Sequence, residues 1–175
     1  MNLGSTMRQL ATDARHRGAV ENIAVGFSTI VNRLWRHGGD ASLAKLPESW
    51  LAEIMDQIQS PAPLSITRRS AGFAQVVLVL LVGAPAASKS TPHPVVEATV
   101  TALVEVAKGA SGDGTPGARA HGLNVLRVIL RDASIGSSVL HHIAEIAELA
   151  IDGTVHRYSL FFSYSFFEML RTLCG

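Results

Sequence analysis

Apolar residues recur at steps of three and four through six segments of this chain, and this spacing constrains the fold more than any other feature. In the first segment, Ile23, Phe27 and Ile30 fall on one side of a helix. None of the six segments shows the alternation of a half-buried strand. The spacing predicts helices at Ala19–His37, Pro47–Gln59, Arg68–Val82, Val95–Lys108, Ala118–Arg131 and Val139–Ile151.

The third of these helices differs from the others because it begins polar and becomes apolar on every side. Its second half, from Val76 to Val82, is apolar without interruption. A helix that is apolar all round is normally buried in the centre of a protein. We therefore expect the far end of this helix to be deeply buried.

Short polar loops rich in glycine and proline separate the six helices, and this favours antiparallel helix pairs. Pairs that repeat about every 40 to 47 residues are typical of armadillo-like and HEAT-like α-solenoids. We therefore predict an all-α fold that is a fragment of such a solenoid. A globular helical bundle is the alternative.

Composition supports a packed, soluble domain. Hydrophobic residues make up 47% of the 175 residues and charged residues 17%, which is enough apolar surface for a core. The apolar stretch Val76–Ala87 is about half the length needed to cross a bilayer. Met1–Leu10 has no apolar run like that of a signal peptide, and Cys174 has no second cysteine with which to pair. We expect a cytoplasmic protein.

No pattern of catalytic residues is recognisable, so we do not predict an enzyme, a catalytic residue or a cofactor. A methyltransferase would need a sheet with a glycine-rich first loop, which these helices cannot build. His141 and His142 are the nearest approach to a metal site. Adjacent helical side chains point about 100° apart and rarely share an ion, so surface histidines are the preferred interpretation. Glu145 and Glu148 are interpreted as part of a solvated face.

Two arginines in a helical first turn form the first candidate binding site. Arg68 and Arg69 precede Ser70 at the start of the third helix, where the helix dipole disfavours cations. A bound phosphate or carboxylate would offset this cost. The alternative is that both arginines pair with carboxylates of a neighbouring helix.

The fifth helix carries the second candidate site. His121, Asn124, Arg127 and Arg131 follow steps of three, three and four, which predicts one polar side. Arginine suits bidentate contacts with phosphate or carboxylate groups. The hypothesis is one patch with Arg68 and Arg69 that binds RNA or a protein partner. The alternatives are a solvated face and arginines held by internal carboxylates such as Asp132 or Glu97.

Five sequence blocks in these helices resemble the thyroid adenoma-associated protein family and its fungal tRNA-methylation relatives. The blocks are Arg17-Gly18-Ala19-Val20-Glu21, Leu46-Pro47-Glu48-Ser49-Trp50-Leu51, Arg68-Arg69-Ser70-Ala71-Gly72, His121-Gly122-Leu123-Asn124-Val125-Leu126-Arg127 and Leu130-Arg131-Asp132. The resemblance covers 15–153, the family's conserved central domain. It leaves 1–14 as an N-terminal extension and 154–175 as an atypical tail.

The resemblance implies an armadillo-like fold and a non-catalytic scaffold role in tRNA processing. The family is expected to bind a tRNA 2′-O-methyltransferase subunit, to help position tRNA and to support methylation of the anticodon loop. Cofactor and chemistry then belong to the partner subunit. A protein-binding solenoid without RNA contact and a non-functional truncated fragment are the alternatives.

The tail departs from the family pattern and from the rest of the chain. Four of the six phenylalanines and both tyrosines lie within Tyr158–Phe167. In place of an expected helix with a tryptophan and an Arg-Asn pair, the chain has this aromatic segment. We therefore expect a truncated or aberrant C-terminal end that is peripheral to the solenoid.

Overall fold

The computed structural model describes residues 3–14, 16–36, 41–59, 70–85, 93–110 and 114–155, and all regular secondary structure in these ranges is helical. The all-α prediction is confirmed. The elements are α1 (Leu3–Asp13), α2 (Arg17–Arg36), α3 (Ala41–Ala44), α4 (Leu46–Gln59), α5 (Ser70–Gly83), α6 (Pro94–Lys108), α7 (Pro116–Arg131), a 3-10 helix (Gly136–His142) and α8 (Ile143–Val155).

Local sequence explains how α6 and α7 begin and end. Each helix has a proline in its first turn, where the missing N–H costs no hydrogen bond. The side chains of His93 and Thr115 cap the two N-termini by accepting from backbone N–H groups. Gly109 ends α6 in the left-handed conformation, with φ 78°. These signals fix both helices within one or two residues of the predicted bounds.

The helix α5 lies at the centre of the fold, as its uninterrupted apolar sequence predicted. It contacts α1, α2, α4 and α7. Val77, Leu80 and Leu81 are fully buried. Val82, by contrast, is 41% exposed, so the predicted deep burial of the far end holds for Leu80 and Leu81 but not for its last apolar residue. The helix has no amphipathic stripe, and it therefore depends on packing against its neighbours.

The helices are arranged as in a solenoid, with α2, α5 and α7 side by side in one row. The helix α6 packs against α7 and α8 packs against α6. Gly122, in the first half of α7, lies against the backbone of Leu103 and Ala107 in the second half of α6. Nε of Arg119, in the first turn of α7, donates a hydrogen bond to the carbonyl of Ala107, in the last turn of α6, at 2.9 Å. The helices α6 and α7 are therefore antiparallel, as predicted for a helix pair.

The structure contains a helix that the sequence did not predict. The N-terminal segment, expected to be only an extension, forms α1, which packs against α2 and α5. Ala11 is fully buried, whereas Leu3 and Leu10 are largely exposed. The apolar stripe of α1 is therefore short, and its contact with α5 depends on the small residue Gly72, which lies against the backbone of Ala11.

The last predicted helix has a different form from the one expected. Its first turns are a 3-10 helix that ends at His142, and the α-helix starts only at Ile143. The predicted peripheral tail is outside the described residues from 156 onward, and this includes its aromatic segment Tyr158–Phe167. Within the described ranges, no helix is both long enough and apolar enough to span a membrane.

Candidate functional site

The predicted polar side of α7 is present in part. Asn124 and Arg127 are half-buried, and Nη2 of Arg127 donates a hydrogen bond to Oδ1 of Asn124 at 3.1 Å. Arg131 lies in the last turn of the helix and is exposed. The structure thus brings Asn124 and Arg127 together and orients the guanidinium group, with Arg131 about one turn further along the same helix.

His121 does not belong to this polar side, and its predicted position is wrong. The ring is only 2% exposed and meets Phe73 edge-on at a centroid distance of 5.6 Å. The residue lies about 60° from Asn124 around the helix but only about 40° from buried Val125. Because His121 lies between the polar and apolar sides of α7, the spacing does not predict whether it is buried. The packing of α5 against α7 buries it.

The buried ring of His121 is chemically unusual. Neither Nδ1 nor Nε2 has a hydrogen-bond partner among the described residues. Burial lowers the pKa of His121, because the charged form would lose its hydration. The ring is therefore a neutral core group at pH 7, and it cannot contact RNA or a partner surface.

The structure describes only one of the three candidate residues at the start of α5, the third predicted helix. Arg68 and Arg69 lie outside the described residues, and Ser70 is the first residue of α5. One turn further, Phe73 contacts His121, which is one turn before Asn124. The beginning of α5 therefore lies beside the first half of α7.

The carboxylates suggested as internal partners for the arginines contact other groups. Oδ1 of Asp132 accepts hydrogen bonds from the backbone N–H and the hydroxyl of Ser134. Glu97 accepts from His141 and His142. Within the described part of the chain, both carboxylates are therefore engaged by groups other than the predicted arginines.

A histidine–carboxylate cluster joins α6 to the 3-10 helix, and the sequence did not predict it. Oε1 of Glu97 lies 3.0 Å from Nε2 of His141 and 2.8 Å from Nε2 of His142. The two imidazole rings are 4.2 Å apart, centroid to centroid. The hydrogen bonds from both rings lower the pKa of Glu97. The expected divergence of adjacent helical side chains does not occur here, where the 3-10 helix gives way to α8.

A second polar link lies beside this cluster. Nζ of Lys108 is 2.7 Å from a carboxylate oxygen of Glu105 and 2.7 Å from one of Glu145. These contacts raise the pKa of Lys108, with Glu105 the larger cause, and Lys108 lowers the pKa of Glu145. Oε2 of Glu145 also lies 4.0 Å from Nδ1 of His142. A continuous chain of polar groups therefore connects α6 with α8.

Comparison with known proteins gives a consistent result. A family model described as THADA/TRM732, DUF2428 matches residues 1–158. The chain is 32% identical to the human protein named tRNA (32-2'-O)-methyltransferase regulator THADA over 154 residues, 86% of this chain. The chicken and fruit-fly proteins of the same name are also 32% identical, over 87% and 86% of this chain.

The chain covers a small part of these relatives. It spans 8% of the human and chicken proteins and 9% of the fruit-fly protein. No solved structure gives a significant match.

Proposed function

The chain belongs to the THADA/TRM732, DUF2428 family, and we propose that it is a non-catalytic scaffold segment in tRNA methylation. It binds a 2′-O-methyltransferase subunit and helps to position tRNA, so that the subunit methylates the ribose in the anticodon loop. The observation that carries this proposal is the 32% identity, over 86% of the chain, to proteins named as regulators of this methylation. The similarity includes both candidate binding segments of the chain.

The polar side of α7 supports this role through its arginines. A guanidinium group that is already oriented loses less entropy when it contacts a phosphate or carboxylate. Asn124 holds Arg127 in this way. Arg131 is exposed and adds a second positive charge near the end of the helix.

The start of α5 supplies the other part of the proposed surface. Ser70 is the first residue of α5, and the N-terminus of a helix favours an anion through its N–H groups. Arg68 and Arg69 precede it in the sequence. Because Phe73 contacts His121, the N-terminus of α5 is close to the α7 segment that leads to Asn124 and Arg127. We propose that the six residues Arg68, Arg69, Ser70, Asn124, Arg127 and Arg131 serve one ligand.

Binding of the 175-residue chain to tRNA tests this proposal. The double variant Arg127→Ala with Arg131→Ala should weaken tRNA binding and lower the salt slope by about one for each phosphate that an arginine no longer neutralises. Arg33→Ala removes an exposed arginine of α2 and is the matched control. The measurement is fluorescence anisotropy with an anticodon stem-loop at several salt concentrations.

The methyltransferase arm of the test separates the two ligands. The same variants are used as bait for the purified methyltransferase subunit, with and without tRNA. Loss of enzyme capture in the double variant, with tRNA binding intact, would assign the surface to the protein partner. If neither ligand binds the wild-type chain, or if the double variant and Arg33→Ala behave alike, the proposed surface is wrong.

A further inference from the structure

The cluster of Glu97, His141 and His142 has the composition of a metal site, and it is not part of the surface proposed above. The three ligand atoms, one from each residue, all lie within 4.8 Å of one another. Two imidazole nitrogens and one carboxylate oxygen are a common ligand set for Zn²⁺, and the hard cation Mg²⁺ prefers oxygen ligands. We propose that these residues form a Zn²⁺ site that clamps α6 to the 3-10 helix.

The distances are close to those that a tetrahedral site requires. Bonds of about 2.0–2.2 Å from Zn²⁺ place neighbouring ligand atoms about 3.3 Å apart. The carboxylate oxygen of Glu97 is now 3.0 Å from one imidazole nitrogen and 2.8 Å from the other. Opening these two separations by about 0.3 Å and about 0.5 Å would admit the ion. Exposed side chains such as His141, at 58% exposure, can make this adjustment without moving the backbone.

Glu145 lies beside the cluster and could orient one of its zinc-binding histidines. A zinc-bound imidazole that binds through Nε2 carries its proton on Nδ1, and a nearby carboxylate normally accepts that proton in a hydrogen bond. Oε2 of Glu145 lies 4.0 Å from Nδ1 of His142. Lys108 holds the other oxygen of Glu145 at 2.7 Å. This separation is about 1 Å longer than a hydrogen bond, so a small rotation of the His142 ring on binding the ion would let Glu145 accept the proton.

The site would have three protein ligands and an open fourth position. Three ligands with a bound water are typical of zinc sites that are open to solvent. Glu97 is 43% exposed and His142 14% exposed, so water can reach the ion from one side. The ion joins the first turn of α6 to the end of the 3-10 helix, next to the Lys108–Glu145 link.

Titration of the untagged, metal-free chain with ZnCl₂ at pH 7.5 tests the proposal. Isothermal calorimetry should show one equivalent bound to the wild-type chain and a thermal midpoint that rises with zinc concentration. MgCl₂ should give neither effect. Glu97→Gln and the double variant His141→Asn with His142→Asn should lose the one-equivalent binding. Glu145→Gln should keep the stoichiometry with about 10- to 100-fold weaker affinity.

His16→Asn is the matched control, because it removes an exposed histidine outside the cluster and should bind zinc as the wild type does. Circular dichroism of each variant checks that the helices are retained. His141→Asn alone changes only an exposed ring, so it remains informative if the double variant is unfolded. The proposal is overturned if the wild type does not bind zinc, or if one-equivalent binding persists in Glu97→Gln and His141→Asn.

Discussion

Replacing the buried ring of His121 with an apolar side chain should remove a pH dependence from the stability of the fold. The ring is 2% exposed, and neither of its nitrogens is paired among the described residues. Burial lowers the pKa of His121 below its usual value of about 6.5. As the pH falls, the unfolded chain binds a proton at this histidine before the folded chain does. The free energy of unfolding must therefore fall as the pH falls through this range.

The size of the effect follows from the difference in proton binding. If the folded ring stays neutral down to pH 5, lowering the pH from 7.5 to 5 costs about 2 kcal/mol of stability, and this is the upper bound for one histidine. His121→Leu keeps a side chain of similar volume and cannot bind a proton. It also removes two buried polar atoms without leaving a partner unpaired, so the variant should be at least as stable as the wild type at pH 7.5.

Urea unfolding of the wild type and of His121→Leu at pH 7.5 and pH 5 measures this difference. The part of the pH dependence that disappears in the variant belongs to His121, because carboxylates and other histidines contribute equally to both proteins. His16→Asn replaces an exposed histidine and is the control for the loss of a histidine side chain as such. An equal loss of stability at pH 5 in wild type and His121→Leu would refute the argument that burial keeps this ring neutral.

Two further pairs of substitutions test the packing of the helices. Gly72→Ala should lower the free energy of unfolding by about 1–3 kcal/mol, because the new Cβ would collide with the backbone of Ala11. Gly18→Ala, where a Cβ meets nothing within 4 Å, should be neutral or stabilising by up to about 1 kcal/mol. Ile54→Ala should cost about 2–5 kcal/mol because Ile54 is fully buried, whereas Val25→Ala, at a position 69% exposed, should change stability by less than about 0.5 kcal/mol. Urea unfolding measures all four, and equal costs within either pair would contradict the packing of α5 or of α4.

The main helices could be predicted because their apolar stripes are long. The stripe that includes Phe27 runs through most of α2, and prolines and glycines mark the ends of several other helices. The helix α1 was missed for the opposite reason. It has 11 residues, and two of its larger apolar side chains, Leu3 and Leu10, are exposed. It packs against α2 and against α5, and the α5 residue that meets Ala11, Gly72, is about 60 residues further along the chain.

In the candidate site, too, contacts within one helix could be predicted from the sequence, and contacts between distant segments could not. Asn124 and Arg127 are three residues apart, so helical spacing alone predicts that they meet, and they do. His121 is at the edge of the polar side, where only the position of Phe73 decides whether the ring is buried. Glu97 is 44 residues from His141, and no local pattern connects them. The signal was limited to a His-His pair with a carboxylate three residues later.

The directions of the helices favour a solenoid over a closed bundle. Trp35, near the end of α2, donates a hydrogen bond to the carbonyl of Leu80, near the end of α5, at 3.0 Å. Phe73, near the start of α5, contacts His121, near the start of α7. These contacts bring together the ends of α2 and α5 and the first halves of α5 and α7, which fits three helices that run in the same direction, while α6 returns antiparallel to α7. Stacked helix pairs produce this order of contacts. A closed up-and-down bundle would instead alternate the direction of neighbouring helices around one core.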